Sequence, residues 1–400
     1  MKRTKAISVI ILLAVVAGCG GGNKQSTDDI ITVDVTKKYP KKELILQDFM
    51  DVEYIVLDDT DDDFLTQGMV LAIGKNMIVA KNFGQDGNIY LYDRNGKGIK
   101  KINRMGQGPE EYTSVLRIML DEDNSEMFVN ALSLGKIMVY DFDGNFKRSF
   151  NGPEESRYLE GLIYDDKHLI FYHSNYYERE NYPYPLSYDI VSKQDGSITQ
   201  KIQTSVVEKK ISRSLTFVDE ATNRGFTTSA FTWYPISHYQ GNFIFVQIAS
   251  DTVYQYSPID DMISPFIVRT PSIQSMKPEV FLFVSFLTDG YYFMETVKKE
   301  YDPVADTGWP NTYLVYDRQE KAIFECVLYN GDYSDKRTVD ISHVRFRPLK
   351  NDEIAIYRSI EAYQLVEDYE EGLLKGKLKE IAAGLNAESN PVIMVAKHKK

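Results

Sequence analysis

The chain has 400 residues, 43% of them hydrophobic and 26% charged, and a formal net charge of −12. These are globular proportions, which exclude general disorder and a multi-span membrane protein. The acidic balance excludes a nucleic-acid binder, which needs Lys and Arg to release counterions.

In chain order, Met1-Lys2-Arg3-Thr4-Lys5 is a basic start and Ala6 to Ala17 an apolar stretch, the layout of a secretory signal. A bilayer-spanning helix needs about 20 apolar residues, so this stretch is too short for an anchor helix. It ends in Val16-Ala17-Gly18-Cys19, which resembles the bacterial lipobox. That resemblance implies cleavage before Cys19, lipidation of its thiol and acylation of the new amine. Residues 1–18 are therefore expected to be a signal peptide, with the membrane reached through Cys19. Acyl chains bury about 0.8 kcal/mol per methylene, so several hold a protein permanently. Residues 19–29, from Cys19-Gly20-Gly21-Gly22 to Asp28-Asp29, have the polar, flexible composition of a tether. With Cys19 lipidated, Cys326 has no partner, so no disulfide framework is expected. Its place in the strand-like run Ala322 to Leu328 predicts a buried, inert thiol.

Residues 30–400 repeat. Ile89-Tyr90-Leu91-Tyr92-Asp93-Arg94-Asn95-Gly96 matches Ile137-Met138-Val139-Tyr140-Asp141-Phe142-Asp143-Gly144, and Tyr188-Asp189 is a looser third copy. The Tyr-Asp pairs thus fall at 92, 140 and 188, 48 apart, with later echoes at Tyr254 to Tyr256 and Tyr313 to Asp317. Asn-Gly and Asp-Gly supply the positive φ of tight hairpin turns, and the heavy load of tyrosine (28) and phenylalanine (20) suits strands. A repeat of this length, about four strands per unit, predicts an all-β, six-bladed β-propeller. Blades are expected near 62–104, 112–150, 157–204, 214–268 and 278–330, with a sixth starting at 339–358. The strand Pro391 to Lys397 and the N-terminal strands Ile30 to Val35 and Val52 to Leu57 are expected to complete the last blade, closing the ring and removing an open edge. Between Ser359 and Leu385, apolar residues recur every three or four positions, predicting a helical insertion of one or two helices broken at Gly372 or Gly376.

Met105-Gly106-Gln107-Gly108-Pro109-Glu110-Glu111-Tyr112 follows the first Tyr-Asp unit. It resembles the G-x-G-P-x-E-[YF] signature of the six-bladed β-propeller lipoproteins of Bacteroidetes, relatives of TolB-like and NHL-type propellers. Glu110 stands where that group usually has a second glycine. Val52 to Leu57 and Asn390 to Ile393 resemble the same group. The resemblance implies the fold and an envelope location, as an outer-membrane lipoprotein of a Gram-negative bacterium on the periplasmic or surface side. It does not imply an activity.

Gly-Pro-Glu-Glu occurs twice, at 108–111 and 152–155. Both copies lie in connections between blades, so Glu110, Glu111, Glu154 and Glu155 are candidates to ring a channel mouth and hold a cation or sugar hydroxyls. The competing reading gives Gly-Pro the turn and the Glu side chains a capping or solvated role. Aromatic clusters supply further ligand-binding candidates, Tyr176, Tyr177, Tyr182 and Tyr184 in one loop and Trp233 and Tyr234 in another, where rings stack on sugars or anchor partners, the competing reading being that they pack between blades. The Asp58 to Asp63 cluster lacks calcium-loop spacing, and His168 and His173 sit at odd spacing on one strand, facing opposite sides. No hydrolase, P-loop or dinucleotide fingerprint appears. The expectation is a lipid-anchored envelope propeller that recognises a glycan, peptide or envelope protein without catalysis and without a cofactor. A carboxylate- or cation-dependent glycan lyase or hydrolase, with a divalent ion in the channel, is the first alternative. A component of an outer-membrane transport assembly is the second.

Overall fold

The structure is a computed structural model, and it describes residues 30–84, 86–131, 135–151, 161–173, 184–207, 211–219, 224–229, 234–342 and 352–399. The signal segment, Cys19 and the tether lie outside the described residues.

The repeat is built by its turns. Asp93 Oδ1 accepts hydrogen bonds from the backbone N–H of Asn95 (2.8 Å) and Lys97 (3.0 Å), and Asp141 does the same for Asp143 and Asn145. Gly96 and Gly144 complete these turns at φ +87° and +83°, a region open to glycine at no steric cost. Each turn joins the third and fourth strands of a blade. Tyr256 and Tyr316 hold the matching position in later blades, just ahead of the turn residues Ser257 and Asp317. Tyr188 does not. Its hairpin closes between Ser192 and Ser197, so the residue equivalent to Tyr92 is Val191 and the third 48-residue step is a coincidence of sequence.

Six sheets follow in order: residues 69–103, 117–151, 161–207, 236–270, 280–329 and 354–398. Each is antiparallel along its own segment, and the first strands of neighbouring blades touch, as Met69–Ile73 does Arg117–Asp121 and Arg117–Asp121 does Gly161–Ile163. The chain is a six-bladed β-propeller. The antiparallel order places the loops between second and third strands at the same end of the molecule as the connections between blades. We call this the loop-bearing end.

The N-terminal segment closes the ring differently from the sequence expectation. Strand β1 (Ile31–Asp34) adds in parallel to the outer strand of blade four, Ile31 opposite Ile267. Strand β2 (Lys41–Ile45) adds in parallel to blade five, Lys41 opposite Glu325. After a single helical turn, α1 (Leu46–Phe49), strand β3 (Met50–Val56) pairs antiparallel with Val392–His398 and becomes the outer strand of blade six. Only β3 completes the last blade. The stretch Ile30 to Val35 instead guards the edge of blade four. Blade four is also shorter than expected. It begins at Ile236, and Ser214–Asp219 with Arg224–Ser229 forms a separate two-stranded hairpin.

The core is a set of seams. Middle strands bury both faces, so in Asn88–Asp93 the run Ile89, Tyr90, Leu91 and Tyr92 is entirely inside. Outer strands keep one contact face, and in Gly98–Asn103 only Ile102 is buried. One apolar cluster fills each junction between blades. At the closing seam, Ile55, Leu57, Ile393 and Val395 pack on Val70, Ile78 and Tyr90. Each such side chain contributes roughly 1.5–3 kcal/mol on burial.

Candidate functional site

The loop-bearing end carries the elements that break the blade pattern. In the expected insertion at 359–385 the chain forms two helices, α2 (Ala362–Glu370) and α3 (Gly376–Ala382). Gly372 (φ +72°) ends α2, with Leu373 N–H donating to Asp368 O, the arrangement that satisfies final helix carbonyls. Leu365, Leu374 and Leu378 are buried against blades five and six. Among the described residues, no helix is long and apolar enough to cross a membrane.

Beneath the start of α2 lies a cavity of about 300 Å³, between the 330–339 connection and the strands Ile354–Ile360 and Val392–His398. Met394, Val339 and Ile360 give it an apolar side, and Tyr333, Tyr363 and Gln364 a polar and aromatic one. Two arginines line it, with opposite roles. Arg337 is fully engaged. It forms a bidentate pair with Asp368 of α2 (2.9 and 3.1 Å), reaches Asp335 (3.0 Å) and lies 4.7 Å over the Tyr333 ring. Asp368 is only 2% exposed, so this pair clamps the helix to the propeller. Its hydrogen bonds hold the Arg337 guanidinium well above its ordinary range. Arg358 is half-buried and has no ion pair or side-chain hydrogen bond among the described residues. Burial pushes the Tyr333 phenol up to about 12, and Arg358 lies close enough to oppose that rise. Glu361, half-buried at the start of α2, makes no capping bond, and burial raises its carboxyl above the usual range.

The sequence-derived candidates fall elsewhere. Glu111 turns back on its own loop, its Oε2 accepting from Gly108 N–H at 2.8 Å in the space a Cβ on Gly106 would need. Glu110 is exposed, and its carbonyl accepts from Tyr140 Oη (2.8 Å). Tyr112, fully buried, donates to Gly87 O and accepts from Arg104 N–H. The Gly-x-Gly-Pro element therefore works as a joint between blades one and two. Glu154, Glu155, Tyr176, Tyr177, Tyr182 and Trp233 lie outside the described residues, as does the Tyr184 side chain. Tyr234 sits just ahead of blade four, with Arg117 of blade two 5.7 Å from its ring centroid. Among the described residues no group of three His, Cys, Asp or Glu side chains is placed to hold a metal ion. Cys326 is buried and its thiol pushed up to about 12. The cavity residues come from separate segments, and periodicity does not connect them. The one local signal is a cation, Arg358, inside the otherwise strand-like run Ile354-Ala355-Ile356-Tyr357-Arg358-Ser359-Ile360.

No curated protein matches the sequence. Among solved structures, a Bacteroides fragilis protein described as a "Putative exported protein" is similar at 14% identity and a TM-score of 0.59, covering 93% of this chain and 99% of its own. A member of the duf4221 family from Bacteroides vulgatus aligns at 11% identity and a TM-score of 0.46, covering 88% and 98%. At 14% identity the likeness to the B. fragilis protein concerns the fold. The model of a family described as "Domain of unknown function (DUF4934)" matches residues 30–397, and the chain belongs to that family.

Proposed function

We propose that the protein is an exported, lipid-anchored envelope propeller, held at the outer membrane of a Gram-negative bacterium through Cys19, that recognises a ligand without transforming it. The observation that carries the recognition reading is the blade-six cavity. It is concave and part apolar, with a few convergent polar groups on rigid elements, the usual makeup of a small-molecule site. Its strongest free group is an arginine, which binds but does not exchange protons at neutral pH. The signal-like N-terminus supports the address, as does the name of the B. fragilis relative.

The test is thermal unfolding of residues 28–400 against envelope and dietary glycans. A ligand at 100 times its dissociation constant stabilises by about 2.7 kcal/mol. We expect one glycan class to raise Tm by several degrees, and Tyr363→Ala, which removes an exposed rim side chain, to cancel the gain. Turnover of a glycan by the purified protein would overturn the reading. For the address, Cys19→Ala is expected to move the protein from the membrane pellet to the soluble fraction.

A specific observation favours a protein partner as the second reading. The hairpins at 214–229 and 301–308 meet at the loop-bearing end through Phe217, Phe226 and Tyr301, with ring centroids 5.3–6.0 Å apart. They leave Val218 (59%), Phe226 (45%) and Val304 (95%) exposed.

A further inference from the structure

We propose that the blade-six cavity is a site for an acidic sugar, a single uronate-type ring whose carboxylate sits on the Arg358 guanidinium. The proposal rests on the recognition reading above and narrows it to a ligand class.

The argument starts from the difference between the two arginines. A guanidinium offers five donors in a planar fork that matches a carboxylate bidentately. Arg337 has that match already, in Asp368. Arg358 has none among the described residues, although it is half withdrawn from water on a strand paired along its length with Val392–His398. Withdrawing a cation from water without a counter-charge is costly, so an incoming carboxylate gains more there than on an open surface. Glu361, in the same cavity, does not serve as that counter-charge. No ion pair or hydrogen bond joins it to Arg358 among the described residues, and burial raises its carboxyl. The nearby α2 has no side-chain cap at its start, which adds free N–H groups and favours negative charge at the same end of the cavity.

The remaining walls select the rest of the ligand. The Gln364 amide and the Glu361 carboxyl offer partners for hydroxyl groups. Tyr363, 56% exposed at the rim, offers a ring face for the C–H side of a pyranose. A volume of about 300 Å³ is at the lower end for ligand pockets, which suits one ring and excludes an extended chain.

The experiment titrates the protein with D-galacturonate and D-glucuronate, their methyl esters, D-glucose, and an acidic oligosaccharide ending in a uronate, by calorimetry at low and high salt. We expect a free uronate or the uronate-ended oligosaccharide to bind. The matching methyl ester should bind at least tenfold more weakly, glucose weakly or not at all, and high salt should weaken the acidic ligand only. Arg358→Gln should reduce the affinity tenfold to a hundredfold, with Arg358→Lys intermediate. A preference for the oligosaccharide over the free sugar would identify the source as a glycan terminus, and equal binding a free sugar acid. Should Arg358→Gln fail to fold, the acid-against-ester comparison decides on the unmodified protein. Equal binding of acid, ester and glucose would overturn the carboxylate assignment and leave the recognition reading standing. No binding by any sugar would remove both.

Discussion

Gly96 shows how much a single position carries. Its φ of +87° strains any other residue, and a Cβ there would meet the Val56 carbonyl oxygen at 1.9 Å. Gly144 and Gly196 press in the same way on Ile102 and Phe150, so each turn glycine lies against the outer strand of the preceding blade. Gly241 has φ +74° but nothing within 4 Å. Gly241→Ala is therefore expected to cost about 1 kcal/mol from backbone strain alone, and Gly96→Ala at least ~2 kcal/mol, because the backbone of a neighbouring blade must also move. Urea unfolding midpoints of the two variants check the difference. The Gly residues and their spacing were readable from sequence because hairpin chemistry is local. That each glycine also seals a seam was not, because the neighbour lies in another blade.

Among elements, the N-terminal strap and the helix pair do the most. Leu46, fully buried in α1, packs in the cluster between blades five and six. Beside it, Gln47 Nε2 and Tyr54 Oη converge on Asn330 and Asp332 at 2.7–3.3 Å. Leu46→Ala is expected to cost 2–5 kcal/mol, roughly the range for emptying a core leucine site. Removing residues 30–40 should cost at least as much, since it takes the buried Ile31 and Val33 out of the cluster between blades four and five, although β3 still closes the ring. Denaturation of both variants tests that order. In the helix pair, Asp368→Asn should lower stability by about 2 kcal/mol, less than for a fully buried pair because the Arg337 side is partly exposed. The helices were visible from their period. The route of the strap was not, because a parallel edge strand leaves no turn in the sequence to say which blade it joins. The separate hairpin at 214–229 was hidden for a related reason, since its alternation looks like that of any blade strand.

Across the whole molecule, protonation sets the limits of stability. Several carboxyls titrate below their ordinary values. For Glu126, burial opposes this, but the Arg148 and Lys147 hydrogen bonds outweigh it, and for Asp317 the Lys42 bond does the same. Such groups contribute stability that is complete above the unfolded pKa, near 4, and lost as pH falls through the folded value. His398, lowered by burial, acts with the same sign from about pH 6.5 downward. The tyrosines act at the other end. Burial raises Tyr54, Tyr92, Tyr140 and Tyr188, and takes Tyr112 and Tyr313 to about 12. Raised acids stabilise below the unfolded pKa of about 10, and that contribution is lost as pH rises through the folded value. A spectrophotometric titration should show only part of the 28 tyrosines ionising reversibly near pH 10, the buried ones following in a single step together with loss of structure. The ring itself was legible because strand-turn-strand units recur along the chain, as at Tyr92-Asp93 and Tyr140-Asp141, and because the Gly-x-Gly-Pro element resembles that of a propeller family. The cavity was not, because its lining comes from residues 330–339, 358–364 and 394, which only the closed ring brings together.

The strap also has a mechanical meaning. Strands β1, β2 and β3 are consecutive in the chain and fastened to three successive blades. Tension entering ahead of Ile30 reaches them one after another. It detaches the four pairs at blade four first, then the five at blade five, and only then the seven that keep the ring shut. A pull on the N-terminus would thus meet two releasable fasteners in series ahead of the closure. The chain can lengthen under load in steps while the propeller, and whatever lies in its sixth blade, stays assembled.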